Sequence, residues 1–544
     1  MRREDSTAVT FRGTRSRRML LATATLGAAV AGCGGSSGPP TASTSLVRLV
    51  VLPQSVSVVE FHSTDFVAFG LTAAGDTLSP AVLWSATGGS IVASSPSRGF
   101  PDGHYRAGGQ VGQFRAVASD PASGRTDTAV ITISAPPPPP TGTCLIQAGP
   151  LVTLSGLQTS TYENTSLAAS TKLDATVAQF VLDTSVNVVV VVGGGSSLCW
   201  SGGEIVGQFP PATAWNTMHD KYAMIPGSHS SAVGMRIENY TAFSYGKGIS
   251  FDDPGLDSGF TIRNVHVRYG RDDCIEDDFF NGGTIDSTFL DGCYDAVSSQ
   301  EDPGATQGIN NLITISNSLL RLQAMDSVYS GPIPNHNAFW KWSDLAPSLA
   351  LYNNVFRADG PSEEGNGARM YMAPPPGKLA DCRNNVMVWL GAGPFPETLP
   401  TTFNGQPCFT LMTGAAGLQY WNNAVAQWQA AHPNPLPDVA PPIVSLFSPG
   451  LVGSTTLTGT VTLIATAVDD RAVAGVQLQL NGQNIGAEIT SDGQSGDDAF
   501  GPTKYVLSWD SHGVANGTYT LTATARDAAG NTTTSAGVTV TVSN

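Results

Sequence analysis

The chain is poor in charge. Asp, Glu, Lys and Arg make up 13% of its 544 residues, about half the usual share of roughly 25%. Basic residues are scarcer still: 27 Lys and Arg face 43 Asp and Glu, a net charge of −16, and six of the arginines lie within the first 18 residues. That balance excludes the electrostatic footprint of a nucleic-acid binder. No C-x-x-C pair occurs, which argues against a structural zinc site. A Gly-rich nucleotide loop and a His-rich metal motif are also missing. Past the N-terminus, Val186–Val192 is only seven residues, far short of the roughly 20 that cross a bilayer. What is abundant is Gly (60), Pro (36) and 41% hydrophobic residues. Together with many Ser, Thr, Val and Asn, this composition builds strands and turns around real cores rather than amphipathic helices. The length suggests about three or four domains.

The N-terminus reads as an address. Arg12, Arg15, Arg17 and Arg18 precede the apolar run Met19–Ala31, the length of a signal-peptide core. Val30-Ala31-Gly32-Cys33 resembles the bacterial lipobox, which implies that residues 1–32 are removed and that Cys33 is lipidated. Ser16-Arg17-Arg18-Met19-Leu20-Leu21 is similar to a twin-arginine export signal. The expectation is an extracytoplasmic, monomeric protein of the bacterial cell envelope, held to the membrane by an N-terminal lipid anchor through the 33–44 tether. Export agrees with the six remaining cysteines, an even number. Chain proximity favours Cys144–Cys199, Cys274–Cys293 and Cys382–Cys408 among 15 connectivities.

The two flanks are all-β in pattern. Residues 45–135 alternate apolar and polar over Val47–Val51, Phe66–Phe69, Val82–Ser85, Gln113–Val117 and Thr128–Ile133, with turn residues between them, as in a sandwich. The order Val51-x-Pro53, Trp84-Ser85-Ala86-Thr87-Gly88-Gly89, Thr128-Ala129-Val130 resembles bacterial Ig-like domains. Pro136–Pro140, within a 136–143 linker, closes that unit. Residues 440–544 alternate in the same way, and Val468-Asp469-Asp470 with Ala525–Asn531 resembles another bacterial Ig-like type. There Asp469, Asp470, Asp492, Asp497, Asp498 and Asp527 are candidates to hold Ca²⁺ between loops.

Residues 144–435 carry an irregular repeat. An apolar residue, any residue, then Asn or Ser recurs at Ile237–Asn239, Ile262–Asn264, Ile285–Ser287, Ile315–Asn317, Leu351–Asn353 and Cys382–Asn384, each followed by a strand-like stretch. A second phrase follows at Gly248–Ser250, Asp273–Ile275, Asp295–Val297, Asn337–Phe339 and Gly367–Arg369. This pattern resembles the pectin-lyase-like right-handed parallel β-helix, with the asparagines stacked as a ladder. The expected architecture is therefore all-β: a right-handed parallel β-helix flanked by two Ig-like β-sandwiches. Ala175–Leu182 is expected to cap one end of the stack, and the residues after Leu390, with Tyr420, Trp421 and Trp428, to close the other.

The chemistry concentrates at Arg271-Asp272-Asp273-Cys274-Ile275-Glu276-Asp277-Asp278. So many carboxylates repel unless solvated, paired or metal-bound. The repeat brings Lys247 beside them on one rung and Tyr294 and Asp295 on the next. His336, Lys341 and Arg369 come from later rungs, with Glu363 and Glu364. Asp272-Asp273-Cys274-Ile275 resembles the Asp-Asp-Cys-Ile phrase of polygalacturonases, inverting β-helix glycosidases, which implies acid and water-activating roles for Asp272 and Asp273. The neighbouring rungs depart from that family: Gly246-Lys247-Gly248 stands where it has Asn-Thr-Asp, and Cys293-Tyr294-Asp295 where it has Gly-His-Gly.

The same residues suit β-elimination on an acidic polysaccharide. In that reading Ca²⁺ sits on Asp272, Asp273, Glu276, Asp277 and Asp278, and Lys247, Tyr294 or Lys341 is the base. Trp340, Trp342 and Tyr371, with Phe339 and Tyr329, are candidates to stack on sugar rings. The expected function is a carbohydrate-active surface enzyme, lyase before hydrolase, the alternative being a non-catalytic adhesin or envelope protein. Strict alternation from Ile249 turns Glu276 inward, so a register slip or a bulge is required in this stretch.

Overall fold

The computed structural model describes residues 45–59, 63–94, 99–108, 110–134, 143–227, 230–251, 258–301, 305, 308–325, 335–362, 369–434, 436–447, 456–490 and 503–544. The leader, Cys33, the Pro136–Pro140 linker, Tyr329, Glu363, Glu364, Asp492, Asp497 and Asp498 lie outside those residues.

The chain is nearly all-β. Its first unit is two packed sheets over a core of Leu49, Val51, Phe66, Tyr105, Ile131 and Ile133. Its last is a second pair of sheets over Leu463, Val476, Leu478, Leu521 and Val540. Between them, strands from Leu151 to Thr413 join one 23-stranded sheet whose strands pair mostly in parallel with the strand two or three places on, so the sheet winds nearly closed. No described helix is long and apolar enough to cross a membrane.

The repeat phrases fall in register. Ile237, Ile262, Ile285, Ile315, Leu351 and Cys382 stack rung upon rung. The residue that follows each phrase's middle position, Asn239, Asn264, Ser287, Asn317, Asn353 and Asn384, has φ between 50° and 56°. Asn is the non-glycine residue that best tolerates this left-handed corner. The amides also bond along the stack: Asn264 Nδ2 donates to Asn239 Oδ1 at 3.3 Å, Asn353 to Asn317 at 3.2 Å and Asn384 to Asn353 at 3.5 Å. Where Ser287 interrupts the row, Asp286 accepts from Asn317 at 2.9 Å. A second, wholly buried ladder runs beside it. Thr288 N donates to Ser318 Oγ, Ser318 N to Asn354 Oδ1, and Asn354 N to Asn385 Oδ1, at 3.0–3.1 Å.

Two expectations about the ends of the stack are corrected. Ala175–Leu182 is no cap; it belongs to the strand Lys172–Leu182, which pairs in parallel with Leu151–Gln158 before it and Glu204–Gly207 after it. The helix Gly414–Ala431 does not cover an end either. Trp421 and Trp428 pack on Phe289, Leu319, Val355 and Val388, so the helix lies along the flank of several rungs. That column is apolar on its outer face, and an uncovered stripe of this kind would leave it in water.

All three disulfides form as proximity indicated: Cys144–Cys199, Cys274–Cys293 and Cys382–Cys408.

Candidate active site on the β-helix flank

Four rungs build the site. Lys247–Ser250, His266–Glu276, Phe289–Ser299 and Trp340–Trp342 pair in parallel, with Ile249, Ile275, Val297 and Trp340 stacked inward. Ser250, Glu276, Ser298 and Lys341 therefore stack on the opposite face, and Glu276 does not point into the core. The register slip needed by the sequence lies between the first two rungs. A bulge between Gly270 and Asp273 accompanies it. Adjacent strand residues normally face opposite sides; a bulge breaks that alternation, and consecutive Asp272 and Asp273 reach the same place. One carboxylate oxygen from each of Asp272, Asp273 and Asp295 lies within 4.8 Å of the others, and all three residues are buried.

Cations converge on these carboxylates. Lys341 Nζ is 3.0 Å from Asp273 Oδ2. Lys247 Nζ is 3.1 Å from Glu276 Oε2 and 3.8 Å from Asp272 Oδ2, and donates to the Tyr222 hydroxyl at 3.2 Å. His219 Nδ1 lies 2.8 Å from Asp272 Oδ2. Asn337 Nδ2 and the Ala338 N–H hold the two oxygens of Asp295 at 2.9 and 3.0 Å.

The proton inventory follows from burial and these neighbours. Burial pushes Asp273 well above the ordinary carboxylate range, with Asp272, Asp295 and Glu276 adding repulsion against the pull of Lys341. Burial likewise raises Asp295 to about 7. Asp272 is buried too, but Lys341, His219 and Lys247 outweigh the burial and lower it. Lys341 and Lys247 both move upward, since the carboxylates around each outweigh its burial. Asp273 thus keeps its proton more readily than an ordinary carboxyl, Asp272 is ionised, and the lysines stay charged.

His219, Tyr222 and Ser250 are members that sequence reading missed, while Asn337 was expected on this face. Tyr222 was discoverable, since it pairs directly with Lys247 one rung away. His219 was not: it arrives on a helix, Trp215–His219, inserted between rungs. Arg271 fixes that insertion by donating to the carbonyls of Pro210, Pro211 and Thr213 at 2.6–2.9 Å. The departure Gly246-Lys247-Gly248 has the same origin. A Cβ at residue 246 would sit 1.8 Å from the Met218 carbonyl, and one at 248 would sit 2.6 Å from the Cys274 carbonyl. Glycines are needed there for the helix and the next rung to pack.

Other candidates lie elsewhere. Trp340 and Trp342 are 0% and 1% exposed. Trp340 packs on Phe339 and Phe356, and Trp342 Nε1 donates to the Pro347 carbonyl. Both point inward because their strand alternates about Lys341, so neither offers a ring face to a sugar. Tyr294 belongs to a buried apolar cluster with Tyr269, Phe243, Ala440, Ile443 and Val468. His336 is buried with Nδ1 on the Asn337 carbonyl. Arg369 is exposed, and its carbonyl accepts from Trp342 N at 2.8 Å. Tyr371 is half-buried opposite Trp340, in a rung that runs antiparallel rather than parallel.

Most of the five carboxylates expected to hold Ca²⁺ already have protein partners. Asp277 is used by Asn281 and Gly282 to close a turn, and Asp278 by Ser298 Oγ and Gln300 N. Glu276 is held by Ser250 and Lys247. Among the described residues, Asp272 Oδ1, Asp273 Oδ1 and Asn337 Oδ1 are the oxygens of this site left without a hydrogen bond. Two ammonium groups already supply the balancing charge.

Residues 442–523 match the family model of a bacterial Ig domain. With the three disulfides, this is consistent with an extracytoplasmic protein. Among solved structures, the chain is similar to the fibronectin(III)-like modules of CbhA from Clostridium thermocellum, at 17% identity over 20% of this chain and 48% of that chain, with a TM-score of 0.14. No curated protein matches the chain.

Proposed function

We propose that this is an exported glycan-cleaving enzyme that hydrolyses glycosidic bonds on the flank of its β-helix. One observation carries the reading: Asp272, Asp273 and Asp295, from two neighbouring rungs, share one buried site with two lysines and a histidine. Two carboxyl groups pushed apart in pKa can divide the acid and base roles of glycoside hydrolysis. Asp273, kept protonated, gives its proton to the glycosidic oxygen as the bond to the anomeric carbon breaks. Asp272, kept ionised by Lys341, His219 and Lys247, takes a proton from a water whose oxygen bonds to that carbon. Lys341 orients Asp273 and offers positive charge to an acidic sugar.

Elimination ranks second. A lysine base must be neutral, and Lys247 and Lys341 are held protonated by their carboxylate neighbours. A non-catalytic envelope protein or adhesin is favoured by a different observation: Asp272, Asp273 and Asp295 are at most 1% exposed, as in a purely structural ion network. Incubating the full chain with a panel of acidic and neutral polysaccharides separates the three. New reducing ends without ultraviolet absorbance support hydrolysis. Absorbing unsaturated ends support elimination, and retention on a glycan with no cleavage supports the adhesin. Lipid attachment at Cys33, and a monomer on the envelope surface, complete the proposal; loss of a labelled acyl chain in Cys33→Ala tests the anchor.

A further inference from the structure

We propose that Asp438, Asp469 and Asp527 bind a divalent cation of the hard, oxygen-seeking class, Ca²⁺ foremost, at the joint between the β-helix and the C-terminal Ig sandwich. Asp438 lies on the segment that leads from the flanking helix into the sandwich. Asp469 follows the strand Thr460–Val468, and Asp527 ends the strand Gly517–Asp527. One carboxylate oxygen from each lies within 4.8 Å of the others.

What points to a ligand is the state of these oxygens. Asp469 is 2% exposed. Its Oδ1 accepts from the N–H groups of Arg471 and Ala472, both at 2.8 Å, while its Oδ2 is buried with no hydrogen-bond partner. Asp438 Oδ1 is a second buried oxygen in the same condition. Leaving such an atom unmet in a native structure is unfavourable, and more so when it is charged. Asp527 is fully buried, and Asn531 holds it through N–H and Nδ2 at 2.8 and 2.7 Å. Asn531 Nδ2 also donates to the Asp438 carbonyl at 3.3 Å, which ties the incoming segment to the same spot.

Charge balance separates this cluster from the one on the β-helix flank. There, Lys247 and Lys341 neutralise the carboxylates. Here, among the described residues, none of the three carboxylates lies within ion-pair distance of a Lys or Arg. The nearby Arg471 is committed to Glu204 at 2.8 Å and to Asp470 at 3.4 Å. Glu204 belongs to the β-helix, is fully buried, and also receives Arg268 at 3.1 Å. The joint thus holds one carboxylate group met by arginines and one, among the described residues, met by none. A divalent ion would neutralise the second, with carbonyl and water oxygens filling the remaining positions.

The test is calorimetric titration of the EDTA-stripped full chain with CaCl₂, beside MgCl₂. The expected result is saturable Ca²⁺ binding with half-saturation at about 0.1–1 mM, the range of extracellular modules, and a calcium-dependent rise in the melting temperature of the sandwich. Asp469→Asn should weaken binding by about tenfold or more. Asp438→Asn, which alters only the connecting segment, should do the same without touching the sandwich core. Asp273→Asn should leave binding unchanged. The proposal is overturned if no saturable binding appears, if Asp438→Asn and Asp469→Asn bind like the parent, or if Asp273→Asn alone abolishes binding.

Discussion

Lys341→Met isolates the electrostatics of the candidate site. The ammonium sits 3.0 Å from Asp273 and is surrounded by Asp272, Asp278 and Asp295 as well, with its side chain 12% exposed. Methionine keeps most of the volume, so little cavity is created. What is lost is the partner of a buried carboxylate, a change that costs about 3–5 kcal/mol. The carboxyls can escape part of that cost by taking up protons, at about 1.4 kcal/mol per pKa unit. The loss should therefore depend on pH. At pH 8 it should approach the full range; at pH 5, where Asp295 and Asp273 already hold protons in the parent, it should shrink to about 1 kcal/mol. Denaturant unfolding measures the loss, and Trp340 and Trp342, buried beside the substitution in the same strand, contribute to the tryptophan emission that follows it. Asp272→Asn added to Lys341→Met should restore at least half of the stability lost at pH 8, because Lys341 is the cation that most favours the ionised Asp272. Equal losses at pH 5 and pH 8, or a loss at pH 8 below about 1 kcal/mol, would refute the reasoning.

Three further outcomes follow from the same geometry. Asp277, Asp278 and Asp295 all titrate near 7 in the folded chain because burial raises them. A carboxyl raised on folding stabilises below its unfolded pKa and loses that contribution as pH climbs through the folded value; the melting temperature should fall from pH 5 to pH 8, and a rise would contradict the burial argument. Asn354→Leu removes a fully buried amide that serves Ile315, Ser318 and Asn385. It should cost about 1–3 kcal/mol per group left unmet, more than Asn353→Ala on the exposed ladder, as chemical denaturation would show. Replacing Cys382 and Cys408 together by Ala opens a loop with a sequence separation of 26, which should cost about 3–4 kcal/mol; an unchanged melting temperature would show that the stack already fixes this end.

The fold was legible because its period is carried by residues with a backbone reason to be there. Asn239, Asn264, Asn317, Asn353 and Asn384 are doubly specified, by a left-handed corner and by an amide ladder. The convergence of Lys247, Asp272, Asp273 and Asp295 followed from counting rungs. Orientation did not, because it depends on register within a rung. Aligning Gly248–Ser250 with Asp273–Ile275 is off by one, and that slip is what turned Glu276 inward on paper. Reading aromatic residues beside the site as sugar platforms failed for a related reason: Trp340 and Trp342 alternate with Lys341, so placing the lysine outside buries both. The Lys172–Leu182 strand and the flanking Gly414–Ala431 helix were mistaken for ends because neither carries the Asn phrase. His219 was invisible for want of any local signal that its short helix folds back onto Asp272.

The most direct measurement is the rate at which Asp273→Asn cleaves whichever polysaccharide the parent chain degrades. Asparagine preserves the shape and cannot donate the proton. Generation of reducing ends should fall by about 10²-fold or more while the melting temperature at pH 7 stays level or rises. A folded Asp273→Asn that cleaves as fast as the parent would contradict the account.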